Sequence, residues 1–174
     1  MKLLVVVDMQ NDFITGALAN PDAQAIVPKV VDLIENYDGI VMYTRDTHDE
    51  FYMDSLEGKN LPIPHCIEYT SGWELCEPIN DIRIKTDARV FDKKTFGSMS
   101  LCDYIRRTGL AEEVELVEIC GVCTDICVIS NAIMLKAYIP GTVIRVLKDY
   151  CAGTSKENHE NALAAMKQCH IEII

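Results

Sequence analysis

Short apolar runs rich in β-branched residues alternate along the chain with segments whose apolar residues recur at helical spacing. This alternation constrains the fold more than any other feature of the sequence. It predicts a parallel α/β sheet with right-handed crossovers, and the nearly continuous apolar character of the runs is typical of strands covered by helices on both faces. We predict six strands at Leu3–Val7, Gly39–Tyr43, Ala88–Phe91, Val114–Cys120, Val143–Leu147 and His170–Ile174.

The segments between these runs predict helices. The apolar residues of Ile26–Ile34 recur at helical spacing, and Pro28 is tolerable there only in the first turn of a helix. Ser155 can cap the last helix. Further helical patterns cover Leu101–Ile105, which we expect to end at Gly109, then Ile126–Ala137 and Leu163–Met166.

The stretch Arg45–Asn80 interrupts this alternation. It has about 36 residues without clear periodicity, and a loop of that length inside a compact domain usually serves function. No linker, repeat or low-complexity segment divides the sequence, so we expect residues 1–174 to form a single domain.

The charge of the chain excludes some partners. Its 27 acidic and 16 basic residues give a net charge of −11, which repels nucleic acid and anionic membrane surfaces. No apolar run approaches the roughly 20 residues of a membrane span, and the opening apolar run is too short for a signal sequence. We therefore expect a cytoplasmic protein whose eight cysteines are reduced and mostly inert.

Cys127 is the strongest candidate for a nucleophile. The segment Glu118–Val128 runs from a buried strand through a glycine turn into a helix, and Thr124 can cap that helix. Cys127 then lies in the first helical turn, where free N–H groups favour a thiolate and can hold an oxyanion. The alternative is a buried cysteine at a strand–helix junction. A zinc site at Cys120 and Cys123 lacks a second half at usable spacing.

Asp8 and Lys93 follow the ends of two other predicted strands. A carboxylate at the end of a buried strand is costly unless it is paired or employed, and a lysine there can keep a nearby thiol ionised. Alternatively, Asp8 caps a turn and Lys93 is a solvated strand end, with Lys94 facing away. In a doubly wound sheet, however, Asp8, Lys93 and Cys127 meet at the carboxyl edge and form a nucleophile with its activators.

A second polar group follows the second strand. Asp46 and His48 are two residues apart and face the same way in an extended chain. His65 and Glu57 lie in the long stretch that returns to this edge, and these four donors suit Zn²⁺, with Fe²⁺ or Mn²⁺ as alternatives. The alternative for each histidine taken alone is a surface or hydrogen-bonded loop residue. His159 has no matching partner, and we assign it a structural role.

Five segments in this order and spacing resemble the isochorismatase-like cysteine hydrolases, and within them the nicotinamidase branch. The resemblance covers nearly the whole chain. The segments are Val6–Phe13, Tyr43–His48, Leu61–Cys66, Val90–Lys93 and Gly121–Val128.

The resemblance implies a Rossmann-like fold with six parallel strands and three layers. It implies that Asp8, Lys93 and Cys127 form the catalytic triad and that the N–H groups of Cys123 and Cys127 form the oxyanion hole. It also implies a cis peptide bond between Val122 and Cys123.

For the cofactor, the resemblance implies a divalent metal held by Asp46, His48 and His65, while the fourth ligand, here Glu57, varies within the branch. An aromatic residue common three positions before the last metal histidine is replaced here by Pro62, which leaves Phe13 and Phe96 as candidate walls for a substrate ring.

The leading interpretation is a metal-dependent amidohydrolase that converts nicotinamide to nicotinate and ammonia through a thioester at Cys127. One alternative is a related hydrolase of carbamoyl or ureido amides, or of isochorismate. Another is a non-catalytic binding relative, which would carry a Cys127 no more reactive than the other thiols. The expected partner is a small amide; a homo-oligomer is compatible with the family, and no interface can be identified from the sequence.

Overall fold

The computed structural model describes all 174 residues. Six parallel strands form one sheet in the order β3-β2-β1-β4-β5-β6, as the alternating pattern predicts. The strands are β1 (Lys2–Val7), β2 (Ile40–Asp46), β3 (Val90–Lys93), β4 (Leu116–Val122), β5 (Val143–Ala152) and β6 (Glu172–Ile173).

Eight α-helices connect and cover the strands. They are α1 (Asn11–Ile14), α2 (Pro21–Glu35), α3 (Leu56–Asn60), α4 (Glu77–Thr86), α5 (Met99–Arg107), α6 (Leu110–Glu113), α7 (Ile129–Tyr138) and α8 (Lys156–Gln168). A 3₁₀ turn at Tyr52–Asp54 and a π-helical turn at Thr124–Val128 complete the set. None of these helices combines the length and the apolar character that crossing a membrane requires.

β1 and β4 form the centre of the sheet and carry the core. Leu3 to Val7 are fully buried, because helices cover both faces of this strand. Gly121 near the end of β4 has φ +117, and a Cβ at this position would collide with the carbonyl of Val7. Glycine therefore allows β4 to approach β1 closely at the edge where the strands end.

The structure corrects several predicted bounds. β5 continues five residues beyond Leu147 to Ala152, and the last strand is only Glu172–Ile173. Pro28 lies inside α2, because Asn20 caps this helix and Pro21 begins it well upstream. Burial of the apolar face of α2 offsets the cost of an interior proline, which is about 3 kcal/mol. Ser155 does cap α8, as predicted.

The long stretch Arg45–Asn80 is more ordered than its lack of periodicity indicates. It contains the end of β2, the 3₁₀ turn, α3 and the beginning of α4, which the sequence pattern did not reveal. Polar residues dominate α4, and only Ile79 and Ile82 are buried, so its apolar periodicity is too sparse to predict it.

Candidate active site

The three predicted catalytic side chains come from three places on the carboxyl edge of the sheet. Asp8 follows β1 with φ +49, Lys93 is the last residue of β3, and Cys127 lies in the π-helical turn after β4. All three are buried, whereas the neighbouring Lys94 is exposed, as predicted. The parallel register brings them together because the strands all end at this edge.

Lys93 lies between the other two. Its Nζ is 2.7 Å from Oδ2 of Asp8 and 3.5 Å from Sγ of Cys127. The hydroxyl of Thr44 donates a hydrogen bond of 2.7 Å to Oδ1 of Asp8, which holds the carboxylate from the other side. Thr44 was not among the predicted site residues, although it lies on the same face of β2 as Asp46, two residues away.

Burial and charge shift the pKa values of this trio in a consistent way. Burial raises the pKa of Asp8 against the opposing effect of Lys93, so the carboxylate is a stronger base than an exposed one. Burial acts to lower the pKa of Lys93, but the charges of Asp8 and Cys127 raise it above the usual value, so the lysine is a cation.

The thiol of Cys127 differs from the expectation of a resting thiolate. Burial, and next the negative charge of Asp8, raise its pKa well above that of an ordinary thiol, although Lys93 opposes this. The free protein therefore holds Cys127 as a neutral thiol beside a carboxylate that can accept its proton.

The turn that carries Cys127 has unusual backbone geometry. The peptide bond between Val122 and Cys123 is cis, as the resemblance implies. The carbonyl of Cys123 accepts hydrogen bonds from the N–H groups of Ile126 at 3.1 Å and Val128 at 3.0 Å. The N–H of Cys123 itself donates to no acceptor within the protein, so it is free for an oxyanion.

Thr124 does not cap the helix, which corrects the sequence prediction. The N-terminal position of the π turn is Cys123, and the Thr124 hydroxyl lies 2.8 Å from Nδ1 of His159 on α8. His159 therefore has a structural partner that the sequence did not indicate. A buried amide also braces the turn, because Nδ2 of Asn131 donates to the carbonyl of Cys127 at 2.8 Å.

The predicted metal ligands also converge. The donor atoms of Asp46, His48, Glu57 and His65 all lie within 4.8 Å of one another. Nε2 of His48 is 3.0 Å from Oδ2 of Asp46 and 3.6 Å from Oε1 of Glu57. Nε2 of His65 is 3.5 Å and 3.8 Å from the same two oxygens.

These separations fit a tetrahedral metal ion. Donors about 2.0–2.2 Å from a central ion lie roughly 3.4 Å from one another, close to the observed spacings. Nδ1 of His65 lies 2.8 Å from the carbonyl of Ile63, which fixes the ring so that Nε2 faces the cluster. Two imidazoles and two carboxylates are a donor set that suits Zn²⁺.

Asp46 connects the two groups of residues. Its Oδ2 faces the histidines, whereas its Oδ1 is 3.5 Å from Nζ of Lys93. Burial alone would raise the pKa of Asp46, but hydrogen bonds from His48 and His65 and the charge of Lys93 lower it well below its usual range. The carboxylate is therefore ionised and available as a ligand.

Both groups open into one cavity of about 680 Å³. Cys127, Asp46, Glu57 and His65 all line it, so the candidate nucleophile and three of the four candidate metal ligands face the same space. The predicted ring walls also line it: Phe13 is buried with its ring 5.7 Å from that of His65, and Phe96 is 45% exposed. The remaining lining residues are Ala17, Leu18, Ala19, Asn20, Pro21, Asn60, Leu61, Cys123, Ile126 and Thr154.

Trp73 lies outside this cavity. Its indole N–H donates to the Thr47 hydroxyl at 2.8 Å, and the guanidinium of Arg45 stacks 3.5 Å above its ring. Cys123 does line the cavity, and burial raises the pKa of its thiol to about 12, so it presents a neutral wall.

Comparison with known sequences identifies relatives over the full length of the chain. The profile of the isochorismatase domain matches residues 2–174. A nicotinamidase/pyrazinamidase of Mycobacterium tuberculosis is 29% identical over 194 residues, covering 100% of this chain and 98% of the relative. A nicotinamidase of Schizosaccharomyces pombe is 26% identical, covering 98% of this chain and 91% of the relative.

Solved structures give the same result. The pyrazinamidase/nicotinamidase of Streptococcus mutans superposes with a TM-score of 0.86 at 32% identity, with complete coverage of both chains. The pyrazinamidase of Pyrococcus horikoshii in complex with zinc superposes with a TM-score of 0.82 at 30% identity, covering 99% of this chain and 98% of that one.

Proposed function

The chain belongs to the isochorismatase family, and within that family we propose that it is a metal-dependent nicotinamidase. The reaction is hydrolysis of the amide bond of nicotinamide to give nicotinate and ammonia. One observation carries the proposal: Cys127, which lies beside a buried lysine and acid, lines the same cavity as three of the four donors of the metal cluster. The nicotinamidase and pyrazinamidase relatives support it.

The reaction begins with proton transfer. Asp8 accepts the proton of the Cys127 thiol, and the thiolate formed attacks the carboxamide carbon. The N–H groups of Cys123 and Cys127 hold the resulting oxyanion. Asp8 then returns the proton to the leaving nitrogen, ammonia departs, and a thioester remains on Cys127.

Water completes the cycle. Asp8 takes a proton from a water molecule, whose oxygen attacks the thioester carbon, and the same amides hold the second oxyanion. The carbon–sulfur bond then breaks, nicotinate is released, and the proton on Asp8 returns to the sulfur. Lys93 remains a cation throughout, and it stabilises the thiolate at 3.5 Å without losing a proton.

The substrate is oriented from the other side of the cavity. Asp46, His48, Glu57 and His65 would hold a divalent ion, for which we propose Zn²⁺, with Fe²⁺ or Mn²⁺ as alternatives. Such an ion would bind the ring nitrogen of a pyridine carboxamide. Phe13 and Phe96 provide the apolar walls for the ring.

The other functions are less consistent with this site. Isochorismate carries no pyridine nitrogen, so its hydrolysis gives the four-donor cluster no role. A binding relative without activity has no need for a buried lysine within hydrogen-bonding distance of both a buried carboxylate and a buried thiol. Hydrolysis of a ureido or carbamoyl amide uses the same trio, and it is the alternative that an amide panel must exclude.

We also place the protein in the cytoplasm. A nucleophilic thiol acts only while it is reduced, and that compartment keeps thiols reduced. The substrate would be a small diffusible amide, whereas a net charge of −11 disfavours nucleic acid.

The test is ammonia release from nicotinamide, pyrazinamide and a set of ureido and carbamoyl compounds. We expect the metal-loaded wild type to release ammonia from nicotinamide and Cys127→Ala to release none above background. Cys169→Ala is the matched control, because Cys169 is an exposed thiol outside the cavity. Ammonia release from ureido compounds but not from nicotinamide would show that the substrate is a ureido compound. Ammonia release by Cys127→Ala would overturn the mechanism.

A further inference from the structure

The segment after β1 carries two side chains that bind the backbone next to the metal cluster. We propose that Gln10 and Asp12 are positioning residues that hold the ligands Asp46 and His65 in place relative to Asp8. The proposal rests on the proposed function, because it assumes that the cluster binds a metal. Both residues bind backbone groups, and neither of them lines the cavity.

Gln10 is fully buried, and its side-chain amide makes three hydrogen bonds. Its Nε2 donates to the carbonyls of Asp46 and Trp73, both at 2.8 Å, and its Oε1 accepts from the N–H of Asp46 at 2.7 Å. Two carbonyls and one N–H leave a single orientation for the amide, so the assignment of oxygen and nitrogen is unambiguous.

The Gln10 amide makes the hydrogen bonds to the Asp46 backbone that a neighbouring strand would otherwise make. The N–H of Asp8 donates to the carbonyl of Thr44 at 3.2 Å, after which the chain turns away from β2. Two residues further along β2, Asp46 presents its N–H and C=O to the same side. A neighbouring strand would satisfy both groups, and the side chain of Gln10 does so instead. β2 therefore keeps its extended course through its last residue, the metal ligand.

Asp12 binds the segment that carries the histidines. Its Oδ2 accepts from the N–H of Cys66 at 2.7 Å, and its Oδ1 accepts from the N–H of Ala17 at 3.1 Å. Cys66 directly follows His65, and its carbonyl accepts from the N–H of His48 at 3.0 Å. The carboxylate of Asp12 thus connects α1 to Cys66, and through Cys66 to the backbone of both histidine ligands.

These contacts fix the distance between the base Asp8 and the metal ligands, which the proposed reaction needs. Asp8, Gln10 and Asp12 belong to one short segment, so the metal ligands are held to the same piece of chain that carries the base. A side chain that orients a ligand typically contributes 10–100-fold to metal affinity or activity. Removing these bonds should therefore weaken metal binding and misplace the ring of the substrate, while Cys127 and Lys93 keep their positions.

The experiment compares Gln10→Glu and Asp12→Asn with Gln24→Glu. Glutamate at position 10 keeps the side-chain length and the bond from the Asp46 N–H, but it loses both donated bonds. Gln24 is the control for the loss of a donated bond, because its Nε2 also donates to a backbone carbonyl, that of Ile14 at 2.8 Å, away from the cluster, although Gln24 is exposed and Gln10 is buried. Apoprotein of each is titrated with Zn²⁺ against a competing chelator, and thermal unfolding is recorded for each.

We expect the Zn²⁺ dissociation constant to rise about 10–100-fold in Gln10→Glu and less in Asp12→Asn, which keeps one acceptor oxygen. It should be unchanged in Gln24→Glu. Excess Zn²⁺ should restore part of the lost ammonia release and lower KM more than it raises kcat, which a purely structural defect would not produce. Wild-type affinity in a folded Gln10→Glu, or an equal loss in Gln24→Glu, would overturn the proposal.

Asp12→Asn keeps the test decisive if Gln10→Glu does not fold, because Asp12 is only half-buried. Wild-type Zn²⁺ affinity in Asp12→Asn would then contradict the proposal. The titration needs no substrate, so a wild type that binds Zn²⁺ but leaves nicotinamide intact would refute the proposed substrate and leave the positioning of the ligands to be judged separately.

Discussion

The two halves of the site are built in different ways. Asp8 and Lys93 lie at strand ends, where the hydrogen bonds of the sheet fix them. Cys127 lies one turn beyond a third strand, where the π turn and the amide of Asn131 hold it. Of the metal ligands, only Asp46 lies in a strand. His48, Glu57 and His65 belong to the stretch between β2 and α4, where the backbone forms short turns, α3 and an isolated bridge between His48 and Ile67.

The difference shows two ways of placing a side chain accurately. At the carboxyl edge of a parallel sheet, the ladder itself sets the position. Where a neighbouring strand is absent, side chains must bind the backbone individually, as Gln10 does on the β1 side of Asp46 and Asp12 does at Cys66. We therefore expect the trio to withstand changes in the metal cluster, and the cluster to withstand changes in the trio.

The largest effect is expected for Asp8→Asn. Asparagine keeps the shape and an oxygen for the Thr44 hydroxyl, but it cannot accept the proton of Cys127. We expect kcat for nicotinamide to fall about 10³-fold, because a positioned general base contributes that order of rate. Ammonia release by metal-loaded enzyme measures the loss.

Zinc titration of Asp8→Asn tests the independence of the two halves. The affinity should stay within a few-fold of the wild type, because Oδ2 of Asp46 faces the histidines and only Oδ1 lies near Lys93. Loss of metal in this variant would show that the two halves form a single unit, since Lys93 would then have been drawn toward Asp46.

The convergence of Asp8, Lys93 and Cys127 was predictable from the sequence because polar residues that follow apolar runs stand out, and parallel strands bring their carboxyl ends together. The turn after β4 was harder. The apolar pattern predicts a helix over Ile126–Ala137, yet within it Ile133 is 41% exposed and Leu135 is fully buried. The π turn inserts an extra residue and rotates the following helix, and apolar spacing does not reveal such a turn.

The metal ligands were predictable as residue types, but the contacts that place them were not. Gln10 and Thr44 lie within the segments Val6–Phe13 and Tyr43–His48, but no sequence pattern indicates which groups their side chains bind. Their bonds cross from one chain segment to another 36 residues away, and local spacing carries no such information. A signal did exist for Gln10, since an amide next to a fully apolar strand must satisfy its donors if it is buried.

A smaller effect is expected for His65→Ala, which removes a ligand from the cluster. We expect Zn²⁺ to be lost on dialysis and ammonia release to fall about 10²-fold, because misplacing a substrate by about 1 Å costs that order of rate. The alkylation rate of Cys127 should stay close to the wild-type value. His159→Ala is the control: it removes a histidine bonded to Thr124, outside the cluster, and should retain metal.

Slower alkylation of Cys127 in His65→Ala would contradict the separation of the two halves. Retained Zn²⁺ would instead remove His65 from the ligand set. Each result identifies a different error, because the first concerns how the halves are connected and the second concerns which side chains bind the metal.

The smallest effect concerns the protonation of Cys127 within the trio. Burial raises the pKa of this thiol well above the ordinary value, which outweighs Lys93 at 3.5 Å. Only the thiolate reacts with iodoacetamide, so below its pKa the rate should rise about tenfold per pH unit. The rate should keep rising to pH 9 rather than level off near neutrality.

The measurement follows alkylation of the Cys127 peptide by mass spectrometry from pH 6.5 to 9.5. It uses a Cys169→Ser background, because Cys169 is exposed and would consume reagent. Of the other six thiols, five are buried and Cys123 is partly exposed in the cavity. A comparison of Cys127 with all seven other thiols would therefore mainly report the reactivity of the exposed Cys169. A plateau near pH 7 would mean that Lys93 outweighs burial. Asp8 would then have no proton to accept from the resting enzyme, and its first task would be to protonate the leaving ammonia.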